Sequence, residues 1–393
     1  MKKAKFRGRN HVLIRIRSLK LISLWHITIL IPLVLSACDF SIDNKIMDKD
    51  KEYFKELFEN DPDSKDKTYW GGRTLIHNAV MLEEYEMLKF FLDQGLNPDV
   101  QDDEEMSPLL YAVISEDIKA ARILLENGAD INFDPRGKIM PALHQVLYQK
   151  STKMLPVLLS YQPDLNLNED YMGYSPLHIS VNTKNIDFIS YLINKGVAID
   201  NTDKKGRTSL LWAALWGHPQ IITILVENGA DINSQAKEGY TPLLTSIMNS
   251  KGKAATLLVK LGADVNKSNY NGMAPLHGAV ANDLFDTASA LLKENATPNS
   301  KNDVGLTSLH IAAIENRVKF VTLLIDNGAK INAEDNRGMS PLHRAVISEN
   351  SEVAKELVKH GADMNAKDLN NWTPLDIAKE KGLDEISRIP GDQ

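Results

Sequence analysis

Thr307-Ser308-Leu309-His310 returns as Ser340-Pro341-Leu342-His343, and again as Thr373-Pro374-Leu375-Asp376. Upstream, the same four-residue signature stands at Ala274-Pro275-Leu276-His277, Thr241-Pro242-Leu243-Leu244, Thr208-Ser209-Leu210-Leu211 and Ser175-Pro176-Leu177-His178. Before those come Pro141-Ala142-Leu143-His144, Ser107-Pro108-Leu109-Leu110 and Thr74-Leu75-Ile76-His77. Successive copies begin about 33 residues apart, and a fixed period of this length marks stacked supersecondary units, in which no unit buries its apolar face alone.

Each position in the signature has a physical role. The Thr or Ser accepts a backbone N–H at the start of a helix, Pro follows where a missing donor costs nothing, and Leu turns inward. A second apolar run at helical spacing, such as Ile221, Ile222, Ile224, Leu225 and Val226, predicts a second helix packed against the next unit. The Gly after it suits the left-handed conformation of a helix end. Asp-x-x-Gly tips such as Asp203-Lys204-Lys205-Gly206 and Asp335-Asn336-Arg337-Gly338 then turn the chain into the next unit.

A second mark ends the units: Gly128-Ala129-Asp130-Ile131-Asn132, Gly229-Ala230-Asp231-Ile232-Asn233, Gly262-Ala263-Asp264-Val265-Asn266 and Gly361-Ala362-Asp363-Met364-Asn365, with Gly328-Ala329-Lys330-Ile331-Asn332 as a variant. Together the two marks resemble the ankyrin family, whose repeat of about 33 residues begins T-P-L-H and ends G-A-D-x-N. The resemblance implies an all-α solenoid of about nine full helix-turn-helix units with β-hairpin-like tips and half-repeat caps at both ends. Units are read as starting near 70, 103, 137, 171, 204, 237, 270, 303, 336 and 369, within an array over 49–388 followed by a tail, 389–393. Tyr53, Phe54, Leu57 and Phe58 supply the opening cap, since Leu57 and Phe58 stand one repeat length before Phe90 and Phe91. Lys379, Glu380, Lys381, Asp384 and Glu385 give the closing half-unit a polar outer surface.

The chain of 393 residues carries a net charge of −7, unevenly placed. Residues 1–38 hold eight cations and no carboxylate, leaving 37 basic against 52 acidic side chains, a formal −15, in the rest. Such a body argues against a nucleic-acid partner, which requires a basic surface. With low aromatic content it also suggests a monomer. Behind the basic head, Leu21 to Ala37 is strongly apolar, the layout of a secretory signal peptide. Leu35-Ser36-Ala37-Cys38 resembles the lipobox of bacterial lipoproteins. That resemblance implies a signal peptide over 1–37, cleavage between Ala37 and Cys38, and a diacylglycerol on Cys38. A lipidated tether over 38–48 would then hold the array at the membrane of a bacterial envelope. The alternative is an uncleaved anchor. Asp39, directly after the cysteine, favours the periplasmic face of the inner membrane, with the outer membrane as the other destination.

No catalytic residue, metal ligand or cofactor is read from the sequence, and no enzyme is expected. The single cysteine excludes an intramolecular disulfide and a multi-cysteine zinc site. No phosphate loop, H-E-x-x-H or G-x-S-x-G occurs. Six of the ten histidines hold the fourth position of the signature, where the family resemblance gives the ring a backbone hydrogen-bonding role. The expected partner is another protein, bound on the concave face and hairpin tips of units four to seven. The candidate contacts are Tyr171, Met172, Tyr174, Arg207, Leu215, Trp216, Tyr240, Met248, Tyr270 and Met273, of types that dominate binding hot spots. Some of these, Leu215 and Met248 especially, have packing between units as their alternative role. Two functions fit this surface: an inhibitor or immunity-type protein that masks its partner, or an envelope helper that supports a periplasmic enzyme. A small-ligand binder or an enzyme with a hidden site ranks below both.

Overall fold

The computed structural model describes residues 39–133, 140–168, 172–383 and 385. The expected sites at Ala37, Cys38 and Tyr171 lie outside these residues. The chain divides into two compact units, Met1–Tyr171 and Met172–Gln393.

In the first unit the helices are α1 (Asp39–Met47), α2 (Lys51–Asn60), α3 (Leu75–Met81), α4 (Tyr85–Asp93), α5 (Pro108–Ile114), α6 (Ile118–Glu126), α7 (Ala142–Gln149) and α8 (Met154–Ser160). In the second they are α9 (Pro176–Thr183), α10 (Ile186–Asn194), α11 (Ser209–Trp216), α12 (Pro219–Glu227), α13 (Pro242–Met248), α14 (Gly252–Lys260), α15 (Pro275–Ala281), α16 (Phe285–Lys293), α17 (Ser308–Ile314), α18 (Val318–Asp326), α19 (Pro341–Ile347), α20 (Ser351–Lys359) and α21 (Pro374–Glu380). Each signature opens the first helix of a pair. Ser107 Oγ and the Oγ1 atoms of Thr208 and Thr241 accept the backbone N–H groups of Leu110, Leu211 and Leu244 at 3.1–3.3 Å, as the cap chemistry predicts. Within each unit, first helices pack on first helices and second on second. This buries Leu210, Ile222, Leu225, Leu243, Leu258, Leu276 and Leu291 almost completely, and full burial of such a side chain is worth about 1.5–3 kcal/mol.

The stretch expected to be a tether is a folded element. Residues 39–47 form α1, with Ile42 and Ile46 buried, and α1 lies against α3. The repeat register accounts for it. Ser41-Ile42 stands one repeat length before Thr74-Leu75, and Ile46 one before Ala79. The opening cap is therefore a helix pair, with α1 as its first helix and α2 as its second. The ring of Phe54 meets that of Phe91 edge-on at 4.9 Å, and that of Phe58 lies 6.4 Å from it.

The tips between helix pairs are turns. In Asp203–Arg207 the N–H of Asp203 donates to the Arg207 carbonyl at 3.0 Å, and that of Gly206 to the Asp203 carbonyl at 2.8 Å. Among the described residues one isolated β-bridge, Thr202 with Thr208, accompanies them. Each tip is bonded to the next: Lys204 N–H to the Met172 carbonyl, Lys237 to Lys205, Tyr270 to Glu238, Asp303 to Asn271, Asn336 to Val304 and Leu369 to Arg337, at 2.9–3.3 Å. A second ladder runs through the loops after the second helices, where Asn233, Asn266, Asn299 and Asn332 accept through Oδ1 from the N–H of Asp264, Thr297, Lys330 and Asp363.

Candidate protein-binding surface

The surface begins with the histidines. In His178, His310 and His343, Nδ1 accepts the N–H of the helix-capping Ser or Thr, and Nε2 donates to a carbonyl of the following repeat, in Arg207, Met339 and Trp372 respectively. His77 does the same between Thr74 and Met106. Burial holds these imidazoles below their ordinary pKa, so that they remain neutral donor-acceptors. The residue whose carbonyl is gripped is the one just before the next signature. Its backbone is fixed, and its side chain is placed on the face formed by the tips and the first helices.

In the second unit the positions just before the signatures read Tyr174, Arg207, Tyr240, Met273, Leu306, Met339 and Trp372, of which Arg207, Met339 and Trp372 are gripped in this way, while His277 bonds the Ser300 carbonyl instead. All except Trp372 are half-buried, and Trp372 is 39% exposed. Sequence reasoning named the first four. It missed the last three, although the repeat register that selects Tyr174 also selects them.

The candidates separate by exposure. Trp216 is 49% and Tyr270 68% exposed, so their rings are available to a partner. Met172, Leu215, Tyr240, Met248 and Met273 are half-buried. Met248 lies over the next first helix, where a Cβ on Gly278 would sit 3.2 Å from its sulfur. Tyr174 packs edge-on against Trp212 with ring centroids 4.7 Å apart. Arg207 lies over the same ring at 5.1 Å and bonds Asp203 through Nε and a terminal nitrogen, both at 2.7 Å. Trp212, absent from the sequence-based candidates, holds this cluster together. It is 6% exposed and donates through Nε1 to Asp203 at 3.1 Å. Its only sequence signal was an unusually large residue at the position following the four-residue signature.

Further apolar side chains stand on the tips, Val304 at 58% and Leu369 at 74% exposed. Leu369 shares its register with Tyr270. Among the described residues no group of three or more His, Cys, Asp or Glu side chains is placed to hold a metal ion, and no helix is long and apolar enough to cross a membrane.

A family model described as ankyrin repeats (3 copies) matches residues 45–134, 143–236, 228–302 and 294–368. The chain belongs to the ankyrin-repeat family. Ankyrin repeats are protein-interaction scaffolds, and the capped helix pairs, the histidine clamps and the bonded tips are that scaffold in this chain. Among curated proteins, this ankyrin-repeat chain is 27% identical over 130 residues to the ankyrin repeat protein FPV034 of fowlpox virus, covering 33% of the chain and 30% of the relative. It is 30% identical over 148 residues to palmitoyltransferase AKR1 of Lachancea kluyveri, with 36% and 20% covered. Against the nuclear factor NF-kappa-B p105 subunit of Gallus gallus it is 29% identical over 172 residues, with 42% and 18% covered. The matches thus span less than a third of each of these relatives.

Proposed function

We propose that this ankyrin-repeat chain is a non-enzymatic scaffold, tethered by a lipid on Cys38 in a bacterial envelope, that binds a partner protein and masks it. The observation that carries the binding reading is the exposure of Trp216 and Tyr270 beside the aligned row from Tyr174 to Trp372. Rigid aromatic area of this kind supplies binding energy at low entropic cost. The tether reading is supported by the sequence Leu35-Ser36-Ala37-Cys38 behind a basic and apolar head. Because α1 begins at Asp39, the anchor directly precedes the folded array, which is then held close to the membrane surface at its opening cap.

The test is a tagged full-length chain, fractionated and cross-linked in envelope preparations. Replacing Trp216 and Tyr270 together by Ala is expected to lower partner capture at least tenfold while moving the thermal midpoint by less than about 2 °C, since neither side chain is buried. Unchanged capture, or capture lost only together with the fold, rejects this surface. Cys38→Ser is expected to release the chain from the membrane fraction. A variant that stays bound to the membrane rejects the lipid tether.

A further inference from the structure

Two pairs of lysines border the Trp216 surface without carboxylate partners. Lys184 ends α9 in a left-handed conformation, and Lys251 caps the start of α14. The side chain of Lys251 lies on Gly217, so close that a Cβ there would come within 3.1 Å of three of its carbons. Both ammonium groups act on His218, which caps α12. Burial, then Lys184 and to a smaller extent Lys251, push its imidazole pKa down against an opposing backbone hydrogen bond at Gly217. At the far end of α11, Lys205 and Lys237 stand exposed on neighbouring tips.

Lys184, Lys205, Lys237 and Lys251 form no ion pair among the described residues. Cations bordering the same face further along are paired: Arg317 with Asp283, Arg344 with Asp335 and Lys381 with Glu349. Among the described residues, the acids of the region are engaged or lie elsewhere. Asp203 is buried under Arg207 and Trp212. Asp187 and Glu227 belong to second helices, and Asp200 and Asp231 to the loops after them. Glu238 is the acid on these tips. A chain of net charge −7 thus presents an aromatic surface with positive charge at both ends of its first helices.

We infer that the partner binds here through an acidic segment with an apolar anchor, its carboxylates meeting the lysines and an aromatic or aliphatic side chain resting on Trp216. This rests on the protein-binding reading and narrows it to one chemistry. The eight residues of α11 span about 12 Å, so an extended segment would carry its acidic positions about four residues apart. A nucleic acid fits less well, because its charge is continuous, whereas here Glu238 interrupts the tips and acidic loops lie to one side.

The test uses the full-length chain, purified in detergent, as the target for a displayed random dodecapeptide library. Peptides enriched in Asp and Glu with an aromatic or aliphatic residue are expected. Their affinity should fall at least tenfold between low and high salt, and at least tenfold in Lys184→Glu/Lys251→Glu. In Lys184→Gln/Lys251→Gln the loss should be smaller, and Lys293→Glu/Lys319→Glu on second helices should leave binding unchanged, with helix content checked by circular dichroism. Trp216-dependent enrichment of neutral or basic peptides would overturn this inference and leave the protein-binding reading standing. Equal binding by the charge-reversed variant, or tighter binding of a single-stranded DNA dodecamer, also overturns it. Failure to enrich any sequence counts against both readings.

Discussion

Asp203 shows how much of the architecture rests on single carboxylates. Its Oδ1 accepts the N–H groups of Lys205 and Arg207 and so shapes the tip, while Oδ2 accepts from Arg207 Nε and Trp212 Nε1 and fixes the side chains around it. Asn269 and Asn302 shape their tips equally well through Oδ1. Asp203→Asn is therefore expected to cost about 1 kcal/mol and Asp203→Ala about 2–4 kcal/mol, read from urea midpoints. Burial raises the pKa of this carboxyl, but the hydrogen bonds from Arg207 and Trp212 outweigh it and hold the pKa below the ordinary value. Its contribution is thus present at neutral pH and is lost as pH falls through that lowered value. Asp200 behaves in the opposite sense. It stands in the loop ladder where the later repeats have Asn233, Asn266, Asn299 and Asn332, and it accepts the N–H of Asp231 at 3.2 Å. Desolvation raises its pKa, the hydrogen bond from the Asp231 N–H opposes this, and the Asp231 carboxylate adds to the raise, so that the net shift is upward. The native state then holds the proton more tightly than the unfolded chain, and stability declines as pH rises through the carboxylate range. Asp200→Asn is expected to raise the thermal midpoint by about 1–2 °C at pH 7 and by nothing near pH 3, which scanning calorimetry at the two pH values checks.

At the scale of the element, the repeat closes through contacts the signature only partly announces. Gly239 has φ +80°, and a Cβ on it would lie 2.8 Å from the backbone nitrogen of Tyr270, whereas Gly229, at φ +93°, has nothing within 4 Å. Gly229→Ala carries only the backbone strain, about 1 kcal/mol, while Gly239→Ala must also push the next tip away. The second substitution is expected to destabilise by about 2–3 kcal/mol and to speed hydrogen exchange at the Tyr270 amide, where the first leaves it unchanged. Helix α21, the last among the described residues, makes a related point. Asp376 replaces His there, accepting from the N–H of Thr373 at 3.1 Å and its Oγ1 at 2.7 Å. A histidine clamp needs a carbonyl on a following tip to receive Nε2, as His343 has in Trp372. An acceptor-only carboxylate completes the helix cap without one.

At the scale of the whole molecule, the buried histidines contribute to the acid response. His77, His178, His277, His310 and His343 all have pKa values lowered first by burial. The unfolded chain takes up these protons near pH 6.5 and the native state only at lower pH, so their contribution to stability is full above that pH and is lost progressively below it. The urea midpoint is expected to fall between pH 7 and pH 5, with a shallower slope in His310→Gln. A midpoint flat over that range would show that the clamps tolerate charge. The sequence by itself determined the repeat, its register, the helix pairs and the family, because each unit repeats local cap, turn and packing rules at a fixed spacing. It also contained α1, through Ser41-Ile42, but a Ser-Ile pair without the Pro or His of the signature is too short a signal to separate a helix from a tether. Only the tertiary structure decided which of the large residues on the candidate face stand exposed. Tyr174 and Arg207 are held by Trp212 and Asp203, while Trp216 and Tyr270 stand exposed, and that difference arises from contacts between side chains that repeat spacing alone cannot order.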